Sequence, residues 1–262
     1  MTVSSQQSPA ATLLVDNLDG ATSFDITPTG RIYITESGRH RLLITDLQGS
    51  RIDSLGVQGS GDYRFDFPSS VDATNGLKIY VADKQNRRIQ LYDRRHQFLS
   101  SIDEGSIRDR RRFIPHQLAV NVQRELFVLD RDALLIHKFD PNGVFEWTLD
   151  PRQFRVRSAD WLLVFSDEWL IGSAADQQFY RFDRNGRFTG FGAFSEPVHA
   201  VTAGGSSMWT ATETAIQERN LRGDILRSIP FDRAPAVRHI QREEQILYLL
   251  TDRQLFQISL SL

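Results

Sequence analysis

Short runs of alternating apolar and polar residues, separated by polar turns, dominate the pattern of this chain. Residues 67–102 show it most clearly, with four such runs at 71–73, 77–82, 88–92 and 98–102. Gly, Asn and Asp stand between the runs. Runs of this length with such boundaries are typical of β-strands. The stretch is therefore predicted to form four short strands.

The same four-strand unit recurs along the chain. A turn that begins with Asp or Asn follows the third strand of five copies, and in four of them Gly stands three residues later. The first residues of these turns are Asp46, Asp93, Asp140, Asp183 and Asn220. Asx side chains cap the backbone of such a turn, and Gly supplies the positive φ. The second strands also align, at 31–35, 77–82, 126–129, 169–172, 208–211 and 246–250.

Six copies with a mean period of about 44 residues, each with four strands, are typical of propeller blades. The sequence therefore predicts an all-β fold, a six-bladed β-propeller. The sixth copy has only three strands, the third at 254–259. Residues 11–16 resemble the missing fourth strand, so we expect this N-terminal strand to close the ring by pairing with blade six. The predicted domains are a polar tail at 1–10 and one propeller at 11–262.

Blade two carries a family resemblance. Its residues Phe67-Pro68, Ile79-Tyr80-Val81-Ala82-Asp83, Asn86-Arg87-Arg88-Ile89 and Asp93 resemble the NHL repeat, which forms six-bladed propellers. Blades one and three match this repeat less fully, and blades four to six match it by pattern alone. The resemblance implies an architecture rather than an activity. It also implies that Asp83 and Arg88 form a structural pair across a loop.

Composition narrows the function classes. The chain is 40% hydrophobic and 24% charged, which excludes general disorder. It has no Cys, which excludes thiol catalysis, disulfides and thiolate metal sites. Its net charge of -2 argues against a dedicated nucleic-acid binder. No run approaches the ~18 apolar residues of a spanning helix, and residues 1–10 lack the pattern of a signal peptide. Localisation stays open between cytoplasmic and exported with the signal trimmed.

Two long connections between blades are predicted to lie on one face of the propeller. This face, here called the top, also carries the loops from second to third strands. The connections are 56–66 and 103–113, and long loops on a rigid scaffold often carry binding functions. The second contains Arg108, Arg110, Arg111 and Arg112. These residues predict a patch for carboxylates or phosphates on a partner. A solvated loop with local pairing to nearby acidic residues is the alternative.

Three histidines are predicted at the top of the central channel. His116, His199 and His239 each follow a proline at the start of an inner strand. Neutral imidazoles are zinc ligands, and propeller lyases that resemble NHL proteins hold zinc by three channel histidines. A polar channel mouth with hydrogen-bonded histidines is the favoured interpretation. The sequence predicts no metal and no cofactor.

These observations predict a non-catalytic binding or assembly module. It would bind a protein partner with its top face, through the four arginines and three histidines, either alone or as a subunit of a larger complex. One alternative is a metal-dependent hydrolase or lyase that acts in the channel. A second alternative is single-stranded RNA binding on the top face, which the net charge disfavours. Nucleophile-elbow, phosphate-loop and dinucleotide motifs are absent from the sequence.

Overall fold

The computed structural model describes residues 10–108, 112–230 and 236–260, and these residues form a six-bladed β-propeller. Six antiparallel sheets of four strands surround a central channel. The fold class predicted from the sequence is confirmed. No helix in these three ranges has the length and hydropathy needed to cross a membrane. The tail predicted at 1–10 lies outside the described residues except for Ala10.

Each blade runs from an inner strand at the channel to an outer strand at the periphery. The outer strand of blade six is β1 (Ala11–Val15). Blade one contains β2 (Ala21–Ile26), β3 (Arg31–Glu36), β4 (Arg41–Asp46) and β5 (Arg51–Leu55). The connection to blade two holds a small parallel pair, β6 (Val57–Gln58) and β7 (Arg64–Phe65). Blade two contains β8 (Pro68–Asp72), β9 (Lys78–Asp83), β10 (Arg88–Asp93) and β11 (Phe98–Ile102).

The remaining blades repeat this order. Blade three contains β12 (Gln117–Val120), β13 (Leu126–Asp130), β14 (Leu135–Phe139) and β15 (Phe145–Leu149). Blade four contains β16 (Trp161–Val164), β17 (Glu168–Ser173), β18 (Gln178–Asp183) and β19 (Phe188–Ala193). Blade five contains β20 (Ala200–Gly204), β21 (Ser207–Ala211), β22 (Ala215–Arg219) and β23 (Ile225–Pro230). Blade six contains β24 (His239–Glu243), β25 (Ile246–Leu250) and β26 (Leu255–Ser259). Single 3-10 turns follow blades two and three, at Glu104–Ser106 and Pro151–Phe154.

The ring closes as the sequence predicts. β1 pairs antiparallel with β26, and Ala11 faces Ile258 while Val15 faces Leu255. Val15 and Leu18 are buried in the apolar cluster between blades six and one. The N-terminal strand therefore completes the sheet of the C-terminal blade and leaves no unpaired outer edge on β26.

The Asx turns between third and fourth strands have the predicted chemistry. In blade three, Asp140 Oδ1 accepts hydrogen bonds from the amides of Asn142 and Val144, both at 2.8 Å. The corresponding Asp or Asn makes the same two contacts in blades one, two, four and five. Gly143 then adopts a φ of 82°, whereas His96 takes this position in blade two with a φ of 65°.

The core lies between adjacent blades. Between blades three and four, for example, Phe127 packs against Trp169, and Trp169 stacks on Phe182 with 4.2 Å between ring centroids. The predicted structural pair is also present, because Arg88 Nε donates to Asp83 Oδ2 at 2.9 Å. These contacts fix the inner strands, which in turn position the side chains of the channel.

Candidate functional site

The upper mouth of the channel is surrounded by one residue from each blade, all at the same backbone position. The amides of His116 and His199 donate to the carbonyls of Leu129 and Ala211, at 2.9 and 2.8 Å. The same contact to the neighbouring strand defines Asp160 in blade four and Arg238 in blade six. Their amides donate to the carbonyls of Gly172 and Leu250. In blades one and two, Thr22 and Ser69 lie at this point of the inner strand, where the register of the sheet shifts.

These six residues line one cavity of about 220 Å³ at the top of the channel. Arg131 and His239 line the same cavity. The structure therefore brings together the three histidines that the sequence singled out. It also adds two arginines and a carboxylate that the sequence-based interpretation did not assign to the channel mouth.

His239 stands one residue further along its strand than His116 and His199. Its ring Nδ1 accepts a hydrogen bond from the Phe24 amide of blade one at 3.1 Å. The side chains of Ser23, Ser70 and Gln117 bind the amides of their neighbouring blades in the same way. These four residues line both the upper cavity and a second cavity below it. They therefore form the waist of the channel.

The three imidazoles differ in their surroundings. Burial lowers the pKa of His239 to about 4, so its ring is neutral, and the accepting Nδ1 leaves the proton on Nε2. Burial and the charge of Lys84 lower the pKa of His116, whose Nε2 lies 3.4 Å from Asp132 Oδ1. His199 is exposed, and its ring makes no hydrogen bond with another described residue.

The three histidine rings have different hydrogen-bond partners and do not converge on one point. The ring of His116 contacts Asp132 and the Ile114 carbonyl, whereas Nδ1 of His239 binds the backbone of blade one. Within the described ranges, no group of three His, Asp or Glu side chains is arranged to hold a metal ion. The cavity instead presents separate hydrogen-bonding groups on its wall and floor.

The upper cavity is lined by cationic groups. Arg131 forms an ion pair with Asp160, whose other oxygen accepts from the Ala174 amide at 2.9 Å. Arg238 is exposed, and its guanidinium makes no hydrogen bond or ion pair with another residue in the described part of the chain. Arg131 is thus paired with a carboxylate, whereas Arg238 has no such partner among the described residues.

The lower cavity, of about 240 Å³, is acidic. Asp25, Asp72 and Glu243 line it together with Arg242. Burial raises the pKa of Asp25 and of Glu243. Burial, together with the charge of Asp25, raises the pKa of Asp72 to about 8. The lower cavity therefore holds buried carboxyl groups that favour the neutral form, whereas the upper cavity is lined by arginines.

The arginine-rich connection joins the outer strand of blade two to the inner strand of blade three. Arg108 and Arg112 are exposed, while the flanking Ile107 and Phe113 are buried in the core between blades two and three. Of the four arginines in the predicted patch, Arg110 and Arg111 lie outside the described residues. Asp103 accepts from the Gly105 amide, so its carboxylate caps the 3-10 turn at the start of this connection.

The sequence-based interpretation did not assign Arg238, Asp160 or Arg131 to the channel mouth, and strand register is the signal that could have identified two of them. The three histidines were predicted at equivalent inner-strand entrances although their spacing from the proline differs. Backbone register makes Arg238, not His239, the counterpart of His116 and His199. Aligning the blades by strand register would have found Arg238 and Asp160. Arg131 comes from the loop between the second and third strands of blade three. No strand register predicts its place in the cavity, which depends on its ion pair with Asp160.

The chain is a six-bladed β-propeller whose channel has a cationic upper cavity and an acidic lower one. No family model matches it, and no curated protein matches it. The solved structure of RRP9 WD40 repeats is similar, with a TM-score of 0.71 and 11% identity over 97% of this chain and 99% of that one. U3-55K gives a TM-score of 0.69 and 10% identity over 95% and 98% of the two chains.

A propeller enzyme is similar to the same degree. Virginiamycin B lyase from Staphylococcus aureus matches with a TM-score of 0.66 and 10% identity over 96% of this chain and 99% of that one. At these identities the likeness shows the fold alone. Proteins of different function therefore share this architecture, and the function of this chain has to be argued from its own surfaces.

Proposed function

We propose that this propeller is a non-catalytic binding or assembly module that receives a protein partner on its top face, as a subunit of a larger complex. The observation that carries the proposal is the connection between blades two and three. Its exposed Arg108 and Arg112 are held between two buried anchors, Ile107 and Phe113. A charged loop on fixed ends can present its side chains to a partner with little loss of entropy.

The partner has acidic groups where it meets this loop. Guanidinium groups bind carboxylates through paired hydrogen bonds, which gives both orientation and attraction. Arg110 and Arg111 extend the patch in the sequence, and the channel-mouth residues His116, His199 and His239 lie on the same face. The second long connection adds apolar surface through Val57 and Phe67, which are 56% and 48% exposed.

The architecture suits this role. Propellers bury their strands between blades and leave the loops free to vary, so a rigid ring can support a specific interface. We infer that residues 11–262 form one propeller domain of NHL-like repeats, on the strength of the motif in blade two. The similarity to WD40 repeats concerns the fold, and it is compatible with an assembly role.

A metal-dependent hydrolase or lyase remains the second candidate. The observation that favours it is the common cavity of His116, His199 and His239. Against it, the rings of His116 and His239 already have partners on the protein. Single-stranded RNA binding on the top face has no comparable support, because the net charge of the chain is -2.

The proposal is tested by charge reversal on the loop. Arg108→Glu/Arg112→Glu is compared with Arg94→Glu/Arg95→Glu, which changes two exposed arginines on the opposite face. Wild type and control should recover the same proteins from a lysate of the source cell, as identified by mass spectrometry. The loop variant should lose them, and wild-type recovery should fall as salt rises.

Circular dichroism and melting temperature check that both variants fold. Exposed loop charges change stability by less than about 0.5 kcal/mol each. Equal recovery by all three proteins at every salt concentration would contradict the top-face assignment. One tightly bound zinc per chain, released by His199→Ala, would instead favour the enzyme.

A further inference from the structure

The two cavities of the channel differ in charge. Three carboxylates line the lower cavity, whereas Asp160 is the only carboxylate among the described residues that line the upper one. Arg131 neutralises Asp160, so Arg238 gives the described part of the upper lining a net positive charge. Low-dielectric walls concentrate the field of such a charge inside a narrow channel. An anion is therefore attracted to the upper cavity.

Arg238 is positioned to bind an anion. Its amide is bound to the Leu250 carbonyl at 2.7 Å, and the next residue, His239, contacts blade one. The backbone below the guanidinium is thus fixed on both sides. The guanidinium carries five N–H donors, and none of them is used by another residue in the three described ranges. Because this guanidinium has no carboxylate partner among the described residues, it can bind an anion without breaking an existing ion pair.

Two further groups can donate to the same ligand. His239 has its Nδ1 occupied by the Phe24 amide, so its Nε2–H faces the channel at the waist. His199 lines the wall, and its ring is free of hydrogen bonds within the described part of the chain. The hydroxyls of Thr22 and Ser69 instead donate to backbone carbonyls, so they do not provide the main contacts.

The size of the cavity limits the ligand. A volume of about 220 Å³ corresponds to roughly seven water molecules at about 30 Å³ each. This space admits a phosphate, a small dicarboxylate or one acidic side chain, but not a folded polymer. Guanidinium and imidazole N–H groups together suit oxygen atoms that carry negative charge.

We propose that the upper cavity is a binding site for one small oxyanion, a carboxylate or phosphate group, held by Arg238 with His199 and His239. The site differs from the loop surface of the proposed function and needs no protein partner. The oxyanion is either a free small molecule or a carboxylate on a peptide that enters the channel. The two sources share the same contacts, and the experiment distinguishes them.

Isothermal titration of the full chain at low salt tests the site. The probes are inorganic phosphate, succinate and a short acidic peptide. Wild type should bind at least one of them with a stoichiometry of one. Arg238→Gln should weaken that binding at least tenfold, because it removes the charge that pairs with the anion. Arg222→Gln, an exposed arginine on the opposite face, is the control and should bind as wild type does.

The outcomes distinguish anion binding in the upper cavity from protein binding by the arginine-rich connection. The Arg108→Glu/Arg112→Glu variant should keep its anion affinity even where it loses protein partners. Binding of phosphate or succinate identifies a free anion as the ligand, and binding of the peptide alone identifies a peptide carboxylate. Absence of binding by all three probes overturns the proposal. Unchanged binding by Arg238→Gln overturns it too, and a His199→Gln variant with weakened affinity supports it where Arg238→Gln does not fold.

Discussion

Asp25 and Asp72 occupy the same position in blades one and two, and each carboxylate binds the backbone of the following blade. Asp25 Oδ2 accepts from the Ala73 amide, and Asp72 Oδ2 accepts from the Val120 amide at 2.8 Å. Both side chains are buried, so burial and the charge of Asp25 raise the pKa of Asp72 to about 8. At neutral pH the pair therefore retains a proton.

This shared proton predicts a pH dependence of stability. Because the pKa of Asp72 rises from 3.8 to about 8 on folding, the folded protein binds more protons than the unfolded chain between these values. Stability from this carboxyl is therefore lost as pH rises across that window. Asp72→Asn removes the titration. Its free energy of unfolding should fall less between pH 5 and pH 8 than that of wild type.

Urea unfolding at several pH values measures this difference. Asp62→Asn, at an exposed position, is the control and should follow the wild-type profile. If the profiles of Asp72→Asn and wild type run parallel, the buried pair does not hold a proton.

Ring closure gives a second prediction. Deleting residues 1–16 removes β1 and exposes the edge of β26 together with the apolar residues that pack on Val15. Burial of one such side chain contributes about 1.5–3 kcal/mol, and the lost strand pairing adds to that loss. The truncated protein should melt at a clearly lower temperature and aggregate, as calorimetry and light scattering would detect. Deleting residues 1–9 alone should leave both properties unchanged, and equal melting of the two truncations would contradict the role of β1.

Arg124 gives a third prediction, because it occupies the turn position that Gly30 occupies in blade one. Its amide closes the turn on the Asn121 carbonyl at 2.8 Å, as Gly30 does on Thr27 in blade one. The φ of Arg124 is 65°, a left-handed conformation that is unfavourable for residues with a side chain. Arg124→Gly should therefore raise the free energy of unfolding by about 0.5–1 kcal/mol. Chemical unfolding measures this change, and a destabilised variant would mean that the exposed arginine makes contacts that outweigh the strain.

Glu125 gives a fourth prediction, because it lies in an ion cluster between blades three and four. Burial alone would raise its pKa, but hydrogen bonds from Arg184, Asn121 and Lys138 outweigh burial and lower it to about 2. Its stabilising effect is therefore present above about pH 4.5 and lost as the pH falls toward 2.

Glu125→Gln should reduce the free energy of unfolding by about 2–3 kcal/mol at pH 7. The difference in free energy of unfolding between this variant and wild type should become smaller between pH 4.5 and pH 3, as measured by denaturant unfolding. Glu146→Gln changes a more exposed partner of the same Lys138 and should have a smaller effect. A gap that stays constant with pH would show that charge is not the cause.

The fold could be predicted because its signals are local. An Asp at position 140 and a Gly at 143 define a turn without reference to the rest of the chain, and strand alternation is visible within six residues. Closure by β1 was predictable because the sixth copy lacks a fourth strand and residues 11–16 have the composition of an outer strand.

The site was only partly predictable. The common location of the histidines followed from topology, but their relative register depends on the length of each connection between blades. The sequence placed both His199 and His239 at the entrance of an inner strand, whereas the amide contacts make Arg238 the residue level with His199. The pairing of Arg131 with Asp160 joins a loop of one blade to an inner strand of the next. No local pattern in the sequence encodes that contact.

The pairing of β1 with β26 also affects how the chain reaches its fold. The hairpins of blades one to five form between neighbours in sequence, whereas residue 11 has to find residue 258. Contacts of such long range form late, because the intervening chain loses most of its entropy first. During synthesis at about 5–20 residues per second, β1 waits roughly 10–50 s for its partner strand. For that time β1 stays without its partner strand, so the sheet of blade six is completed only after the last blade has been made.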